Sequence, residues 1–273
     1  MHEENVMEKL EVCAYGSEDI TGILKEENNS VWVGKVKWLY LRFCAMEILP
    51  KLGFHEENEI ELFTMSIVAK YLTEMLKTKN NSIWIGKMKR LDLFNDETQI
   101  LPKLRIHGEN VMDVFSLNTD KTEHITEILK MENNSLWIGR VKKLALSGYA
   151  AETLPKLKLH DENVMEELIL NTAEAKHITE ILKTENSSIW VGKVKKLVLR
   201  RHTVEILPKL RLHCENVMED LLLDADHYKH VTEILKTKKK SVWIGKVKKL
   251  RLEGDAKRIK DKLDFILITP RSE

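Results

Sequence analysis

The chain repeats itself five times, and this repeat constrains the possible folds more than any other feature of the sequence. Tryptophan recurs at intervals of 52, 53, 53 and 53 residues, at Trp32, Trp84, Trp137, Trp190 and Trp243. Histidine, glycine and proline keep nearly the same spacing, at His2, His55, His107, His160 and His213, at Gly34, Gly86, Gly139, Gly192 and Gly245, and at Pro50, Pro102, Pro155 and Pro208. Self-similarity at a fixed period is typical of a repeat architecture, in which each unit packs on its neighbours.

Each unit contains two segments with the pattern apolar-x-x-apolar-x-Leu or a close variant, such as residues 141–146 and 165–170. Alternate side chains of such a segment point to the same face, which is typical of a β-strand. The central apolar residues of the ten segments lie alternately 28 or 29 and 24 residues apart, at Leu10, Leu39, Phe63, Leu91, Phe115, Leu144, Leu168, Leu197, Leu221 and Leu250. The sequence therefore predicts ten strands in five pairs.

With one strand in every coil of roughly 20–29 residues, the sequence resembles the leucine-rich-repeat superfamily. The resemblance implies an α/β repeat fold, a right-handed solenoid in the shape of a horseshoe or arc, with a parallel β-sheet on the concave face and helices on the convex face. We expect about ten coils as five double repeats over residues 1–253 and a capping segment over 254–273, with a short strand at 265–269. The near-identical units also resemble lineage-expanded leucine-rich-repeat proteins of intracellular parasites such as microsporidia, some of which are secreted into host cells as effectors.

A third segment, LPKLKL at residues 154–159, also matches the strand pattern, but Leu157 lies only 11 residues before Leu168. A complete coil needs about 20 residues. We therefore expect this segment to form the back of the short coil, as a helical turn or an extended stretch. In the long coil, the spacing of Ile178, Ile181 and Leu182 predicts a helix.

The family has a buried asparagine ladder at the ninth position of the coil. Three successive coils of this chain carry Tyr149, Ala173 and His202 at that position. The sequence therefore predicts that this ladder is absent.

The charge composition argues against partners that would be attracted by the overall field of the chain. The chain has 44 Lys and Arg against 43 Asp and Glu, a net charge of +1, so no overall field attracts nucleic acid or an acidic membrane. No apolar run approaches the ~18 residues of a membrane span. Cys13, Cys44 and Cys214 are odd in number and far apart, which predicts neither a disulfide framework nor a metal site.

The chain begins directly before a strand, with HEENVM and no capping segment. We therefore expect upstream sequence, either a cap or a signal peptide. The predicted location is the cytoplasm, or the host cytoplasm if such a signal is removed.

The repeated side chains are expected to be structural. Tryptophan, flanked by Ile or Val, is predicted to lie in the core. Acidic residues of one strand type, such as Glu8, and basic residues of the other, such as Lys37, are predicted to pair between neighbouring strands. The histidines recur about 10 Å apart, too far to share one metal ion, and are predicted to be turn residues. The Asn-x-Ser sequons that begin at Asn28, Asn80, Asn133 and Asn186 are explained by helix-ending turns, and they become glycosylation sites only if the chain is secreted by a cell that glycosylates.

No phosphate-binding loop, nucleophile elbow or HExxH motif is present, so the sequence predicts neither an enzyme nor a cofactor. The outward position between the two strand leucines varies most between units. Apolar side chains at such positions favour a protein contact, although drift on an unselected face explains them equally well. The residues predicted to bind a partner on the concave face are Trp38, Tyr40, Leu62, Asp92, Ile169, Val198, Leu222 and Arg251.

The end of the chain is locally basic, with twelve Lys or Arg against three Asp or Glu between residues 236 and 262. An anionic-partner patch is predicted there, at Lys238, Lys239, Lys240, Lys248, Lys249 and Arg251. The sequence thus favours a monomeric, non-enzymatic scaffold that recognises another protein. Binding of nucleic acid or an acidic surface through the basic end, and self-association through an uncapped N-terminal edge, remain open alternatives.

Overall fold

The computed structural model describes residues 6–66 and 72–268, which form an α/β fold built around a large parallel β-sheet. Ten strands lie side by side in chain order, and each pairs in parallel with the strand before it and the strand after it. We number them β1 to β10: Val6–Ala14, Val31–Phe43, Leu62–Ser66, Arg90–Phe94, Val111–Thr119, Leu136–Gly148, Val164–Thr172, Ile189–Arg201, Asp220–Ala225 and Leu250–Gly254.

The predicted register of these strands is confirmed. The ten central residues lie directly opposite one another across the sheet, from Leu10 opposite Leu39 at one edge to Leu221 opposite Leu250 at the other. Eight of these residues are buried, while Leu10 and Leu250, on the two edge strands, are half-buried. A one-residue slip would turn every strand's apolar side chains to the outer face, so burial of this column fixes the register.

Two kinds of connection return the chain to the sheet. After each odd-numbered strand the chain forms a short α-helix, and these helices are α1 to α5: Thr21–Leu24, Thr73–Lys77, Thr126–Leu129, Thr179–Lys183 and Thr232–Leu235. Short 3-10 helices precede four of them, at Ser17–Ile20, Thr122–Ile125, Ala175–Ile178 and Tyr228–His230. Ile178 and Ile181 are buried and Leu182 is half-buried, as the apolar stripe predicts.

After each even-numbered strand the chain forms a longer 3-10 helix, at Cys44–Lys51, Asn95–Lys103, Tyr149–Lys156, His202–Lys209 and Asp255–Lys262. A short strand follows each one, at Leu52–Phe54, Leu104–Ile106, Leu157–Leu159, Leu210–Leu212 and Leu263–Leu267. The LPKLKL segment is therefore a helical turn and then an extended stretch, and its Leu157 pairs with Leu136 at the start of β6. It stays off the row of ten strands, as predicted.

The other short strands extend this second set of pairings. Glu59–Ile60, Ile83–Met88 and Leu104–Ile106 form a three-stranded parallel sheet, and Val217–Met218, Val242–Val247 and Leu263–Leu267 form another. Val242 pairs with Leu263, so the last described segment pairs as the preceding units do. Its strand begins two residues before the predicted range, and residue 269 lies outside the described residues.

A buried asparagine column holds the turns of successive units together, at a position other than the one that the family pattern suggested. Asn58, Asn110, Asn163 and Asn216 of the repeated His-x-Glu-Asn sequence are all buried. Each Oδ1 accepts a backbone N–H of the preceding long strand at 2.7–2.8 Å, from Val36, Met88, Val141 and Val194 respectively. The family pattern concerns only the ninth position, where Tyr149, Ala173 and His202 stand, and it did not predict that buried asparagines would act from the turn instead.

The repeated glycine is required by the same contact. Gly86 has a φ of +83°, and a Cβ at this position would lie 2.3 Å from the carbonyl oxygen of Asn58. Only glycine combines this left-handed conformation with such a close approach. Glycine and asparagine recur together in the units of the sequence because they meet in a packing contact of this kind.

The longer 3-10 helices connect the ends of neighbouring α-helices. Glu152 accepts backbone N–H groups at the start of α4, and Glu47 and Glu205 do the same for α2 and α5. The lysine of each 3-10 helix donates from Nζ to a carbonyl at or just after the end of the preceding α-helix, at 2.6–2.9 Å, through Lys51, Lys103, Lys156, Lys209 and Lys262. Acid at the start and base at the end of a helix both match the helix dipole.

No helix among residues 6–66 and 72–268 is long and apolar enough to cross a membrane.

Candidate recognition surface

The varying residues that were predicted to bind a partner form one row across the outer face of the main sheet. Strand pairing places them next to one another in the order Glu11, Tyr40, Thr64, Asp92, Ser116, Ala145, Ile169, Val198, Leu222 and Arg251. We call this set the outward row. Trp38 and Leu62 lie opposite each other on the same face, two residues before Tyr40 and Thr64. Pairing therefore unites residues that are widely separated in the sequence.

An accessible aromatic group lies near the first edge of the sheet. The side chain of Trp38 is 36% exposed, and Tyr40 and Leu62 beside it are half-buried. Trp38 donates its indole N–H to the Glu61 carboxylate at 3.3 Å, and the Lys9 ammonium lies 5.0 Å from the centre of the Tyr40 ring. We call Trp38, Tyr40 and Leu62 the aromatic patch. Its rings are held in place while part of their surface stays open to solvent.

The second apolar group of the outward row consists of Ile169, Val198 and Leu222, and two of its three side chains are buried. Val198 and Leu222 are each only 4% exposed, so the prediction that they face solvent was wrong. They lie between Ile169 on one side and Arg251 on the other. The side chains of neighbouring strands are close enough to cover one another when they are long. Ile169 remains half-buried.

Two predicted contact residues are held in ion pairs. Arg251 forms a two-point pair with Asp220, with nitrogen–oxygen distances of 3.0 and 2.6 Å, and Asp92 pairs with Arg90. The Asp220 hydrogen bond raises the pKa of Arg251. A partner would have to displace these contacts to use either residue, so neither is a free recognition group.

The predicted pairing of acidic and basic side chains between neighbouring strands is confirmed at several positions. Lys37 pairs with Glu8 at 2.8 Å, Lys142 with Asp113 at 2.7 Å and Lys196 with Glu167 at 2.5 Å. Hydrogen bonds from Lys37 and Lys142 to their carboxylate partners raise the pKa of each lysine. These repeated lysines thus neutralise their neighbours rather than form a basic face.

The predicted anionic-partner patch does not form one surface. Lys238, Lys239 and Lys240 are exposed in the turn before the strand Val242–Val247, while Lys248 and Lys249 follow that strand. Six residues in a strand span roughly 20 Å. Lys248 and Lys249 instead join Lys257 and Lys260 around a cavity of about 490 Å³, which Leu250, Leu252, Phe265 and Leu267 also line. We call this the basic cavity.

The repeated tryptophans lie on the surface, so the prediction that they belong to the core was wrong. Trp32 and Trp243 are 55% exposed, and the three between them are half-buried. The residues that flank Trp84, Ile83 and Ile85, are buried instead. Successive side chains of a strand point to opposite faces, so placing the flanking residues inside turns the tryptophan outward. The alternation in Ile-Trp-Ile was the signal that could have predicted this.

The repeated histidines are turn residues, as predicted. The Nδ1 atoms of His55, His107, His160 and His213 each accept the backbone N–H two residues later at 3.0–3.1 Å. Each ring also lies edge-to-face with the tryptophan of its unit, at 5.9–6.3 Å between ring centres. Among the described residues, no group of three or more His, Cys, Asp or Glu side chains is placed to hold a metal ion.

A further cavity of about 1090 Å³ lies between α4 and α5, over the 3-10 helix His202–Lys209. His202 is buried at its floor, with its ring centre 4.4 Å from that of His230. Burial and the neighbouring His230 lower the pKa of His202 to about 4. His202 is therefore neutral at pH 7, and its ring packs rather than carries charge.

No protein-family model, no curated protein and no solved structure matches the chain. The fold and surface therefore define the chain as an α/β protein of five similar units.

Proposed function

We propose that the chain is a leucine-rich-repeat solenoid that recognises another protein without catalysing a reaction. The strand order supports the solenoid, because ten parallel strands follow in chain order with one return path between each pair. Such a chain winds as a coil, with the sheet on the concave side and the helical turns on the convex side. Residues 1–253 would form this solenoid.

Residues 254–273 would then form its cap. Ala256, Ile259 and Leu263 are buried at positions that match the other units, while Lys257 and Lys260 are exposed. The equivalent residues of the fourth unit, Val204 and Leu207, are buried. A terminal repeat that replaces apolar side chains with charged ones is what a solenoid end requires in water.

The exposure of Trp38 within the aromatic patch carries the recognition proposal. Tryptophan and tyrosine supply much of the binding energy in protein interfaces, especially where their polar atoms are already hydrogen-bonded. Elsewhere in the outward row, Asp92 and Arg251 are paired and Val198 and Leu222 are covered. The aromatic patch therefore offers an exposed apolar contact on a face where these other predicted contact residues are ion-paired or buried.

A crosslinking experiment tests this assignment. A photoreactive phenylalanine derivative at position 40 would capture the partner in cells, and the purified partner would then be titrated against the triple variant Trp38→Ser, Tyr40→Ser, Leu62→Ser. Loss of the patch is expected to weaken binding by at least about tenfold. The control is Trp243→Ser, which removes a more exposed aromatic residue, 55% against 36% for Trp38, from another surface. Equal affinity of the triple variant and the native chain would exclude the patch.

The basic cavity supports a second candidate function, binding of an anionic partner such as nucleic acid. Four lysines border the cavity, and none of the four has an ion pair within the described residues. Such binding should weaken by orders of magnitude between 50 and 200 mM salt if several phosphates are contacted. Affinity that does not change with salt, or that persists in Lys248→Gln, Lys249→Gln, would exclude it.

Self-association through β1 is a third possibility, since Val6 and Met7 at this sheet edge are exposed. An unpaired strand edge can add a further strand from another chain. Light scattering over a range of concentrations tests this possibility. A molar mass that stays at the value of one chain would exclude self-association.

A further inference from the structure

The repeated tryptophans, two exposed and three half-buried, belong to a second row, separate from the outward row of the main sheet. Each tryptophan lies in the first part of a long strand, and the short strand that follows places one residue directly beside it. These pairs are Trp32 with Gly53, Trp84 with Arg105, Trp137 with Lys158, Trp190 with Arg211 and Trp243 with Asp264. We call the set Trp84, Arg105, Trp137, Lys158, Trp190, Arg211 and Trp243 the tryptophan row. It alternates an aromatic ring with a cation.

The rings of this row are fixed in orientation. Trp84 and Trp137 donate their indole N–H to the carbonyls of His55 and His107 in the preceding units, at 3.5 and 3.3 Å. The histidine of the same unit packs edge-to-face against each ring, at 5.9 Å for Trp84. Because the indole nitrogens of Trp84 and Trp137 are already bonded, the exposed part of these two rings is carbon surface. A ligand would meet it by stacking rather than by hydrogen bonding.

The cations of the row are accessible. Arg105 and Arg211 lie over Trp84 and Trp190, with the guanidinium carbon 4.9 and 5.2 Å from the ring centre. Both arginines and Lys158 are exposed, and no ion pair is formed by these three within residues 6–66 and 72–268. Stacking orients each guanidinium while leaving its N–H donors free for an anion.

Two cavities border this row, and each is lined by one of the tryptophan–arginine pairs. A cavity of about 490 Å³ is lined by Trp84 and Arg105 together with Phe54, Glu56 and Gly108. A smaller one, of about 90 Å³, is lined by Trp190 and Arg211. The other units have Glu56, Asp161 or Cys214 at the position of Gly108, so the missing side chain opens the larger cavity.

The spacing of the row limits what can bind along its length. Consecutive tryptophans are two strands apart, or about 10 Å. One disaccharide of an extended β-linked glycan has about this length, and the flat carbon–hydrogen face of a sugar ring stacks on an aromatic ring. A single-stranded nucleic acid instead presents a phosphate at every nucleotide.

The surrounding charges favour the glycan over the nucleic acid. Glu109, Glu162 and Glu215 are exposed in the turns beside the row and pair with Lys87, Arg140 and Lys193. These carboxylates would repel a continuous line of phosphates but can accept hydrogen bonds from sugar hydroxyls. The remaining cations supply one positive charge for each repeat of about 10 Å.

We propose that the tryptophan row binds a linear β-linked glycan that carries one acidic group per disaccharide. Trp137 and Trp243, over which no arginine lies among the described residues, stack on sugar rings, and Arg105, Lys158 and Arg211 each bind an acidic group. This surface is distinct from the aromatic patch, and its role does not depend on protein recognition.

A hyaluronan octasaccharide is a suitable probe, since each of its disaccharides carries one carboxylate. We expect it to change the intrinsic tryptophan fluorescence of the full chain and to release or absorb heat in calorimetry. The double variant Arg105→Gln, Arg211→Gln should bind it at least about tenfold more weakly, which corresponds to about 1.4 kcal/mol. Trp243→Ala, at an already exposed position, should also weaken binding without unfolding the chain.

The matched control is Arg42→Gln, Arg200→Gln, which removes the same charge from exposed positions on the main sheet. Circular dichroism checks that both double variants are folded. Absence of binding at millimolar octasaccharide, or an equal loss in the control variant, would overturn the proposal. Equal affinity for an uncharged chitin octasaccharide would overturn the role of the cations. Tighter binding of a twelve-residue oligothymidylate would make the row a nucleic-acid site instead.

Discussion

The carboxylate of Glu152 accepts the backbone N–H of Ile181 at 2.8 Å, although 29 residues separate them. Its second oxygen accepts the N–H of Glu180 at 2.9 Å, so one side chain satisfies two donors at the start of α4. A helix of four or five residues cannot satisfy its own first N–H groups. The acceptor therefore comes from the neighbouring 3-10 helix, and the two halves of the repeat become interdependent.

Replacement of Glu152 by alanine should lower the free energy of unfolding by about 1–2 kcal/mol, as loss of a helix cap does. Glu152→Gln should lower it less, because the amide oxygen of glutamine can still accept one of the two N–H groups. Urea denaturation monitored by circular dichroism measures both. Glu180→Ala is the control, since this exposed carboxylate pairs with Lys183 alone among the described residues. Equal losses in Glu152→Ala and Glu180→Ala would contradict the capping role.

Asn163→Ala should destabilise the chain by about 1–3 kcal/mol, because the buried N–H of Val141 then loses its acceptor. The measurement is the shift of the urea midpoint at a constant slope. Asn118→Ala provides the control, because Asn118 is exposed at the end of β5. If both variants unfold at the native midpoint, the asparagine column does not stabilise the turns.

Arg201→Gly should stabilise the chain by about 1 kcal/mol, because Arg201 has φ 57° and ψ −132°, a conformation that favours glycine. The chain already has Gly148 and Gly254 at equivalent positions with nearly the same angles. The reciprocal change, Gly148→Ala, should destabilise, since its Cβ would lie 2.1 Å from the carbonyl oxygen of Thr119. Thermal unfolding of the two variants should therefore shift in opposite directions. A lower melting temperature for Arg201→Gly would show that the Arg201 side chain outweighs the strain.

Stability should fall as the pH drops from about 6.5 towards 4, because burial lowers the pKa of His202 to about 4 in the folded chain. Between these values the unfolded chain binds the proton more readily, so acid favours unfolding, and the contribution is complete above 6.5. Burial also lowers the pKa of His177 and His230. The buried Glu47, Glu152 and Glu205 act in the opposite sense in acid, because burial raises their pKa above 4.5.

His202→Tyr isolates this effect, because the chain has Tyr149 at the equivalent position, where its ring packs 4.2 Å from His177. We expect the variant to lose less stability than the native chain between pH 7 and 5. Urea midpoints measured at several pH values test this. His213→Tyr is the control, since His213 is a half-buried turn residue. An unchanged pH dependence in His202→Tyr would exclude His202 as its source.

Much of the architecture could be predicted from the sequence, because it depends on period and alternation. The spacing of apolar residues predicts all ten strands, and the residues chosen as their centres lie opposite one another, as Leu168 and Leu197 do. The pairing of acidic and basic side chains was equally predictable, since neighbouring strands bring Lys142 beside Asp113. These features depend on local pattern and on the fixed distance between strands.

The candidate surfaces were less predictable, because exposure depends on what neighbouring strands place over a side chain. Ile169 and Val198 have the same position in the pattern, yet one is half-buried and the other is covered. Trp38 is exposed and Leu62 is half-buried because the side chains around them do not cover them, and their residue types do not decide this.

The sequence by itself determined the fivefold period, the strands and their register, because apolar alternation allows only one register that buries every central residue. Only the tertiary structure decided that Asn163 is buried and that Glu152 caps a helix 29 residues away. Each of these outcomes is a contact between successive units. Such contacts depend on how the units stack in space, and the pattern within one unit does not specify them.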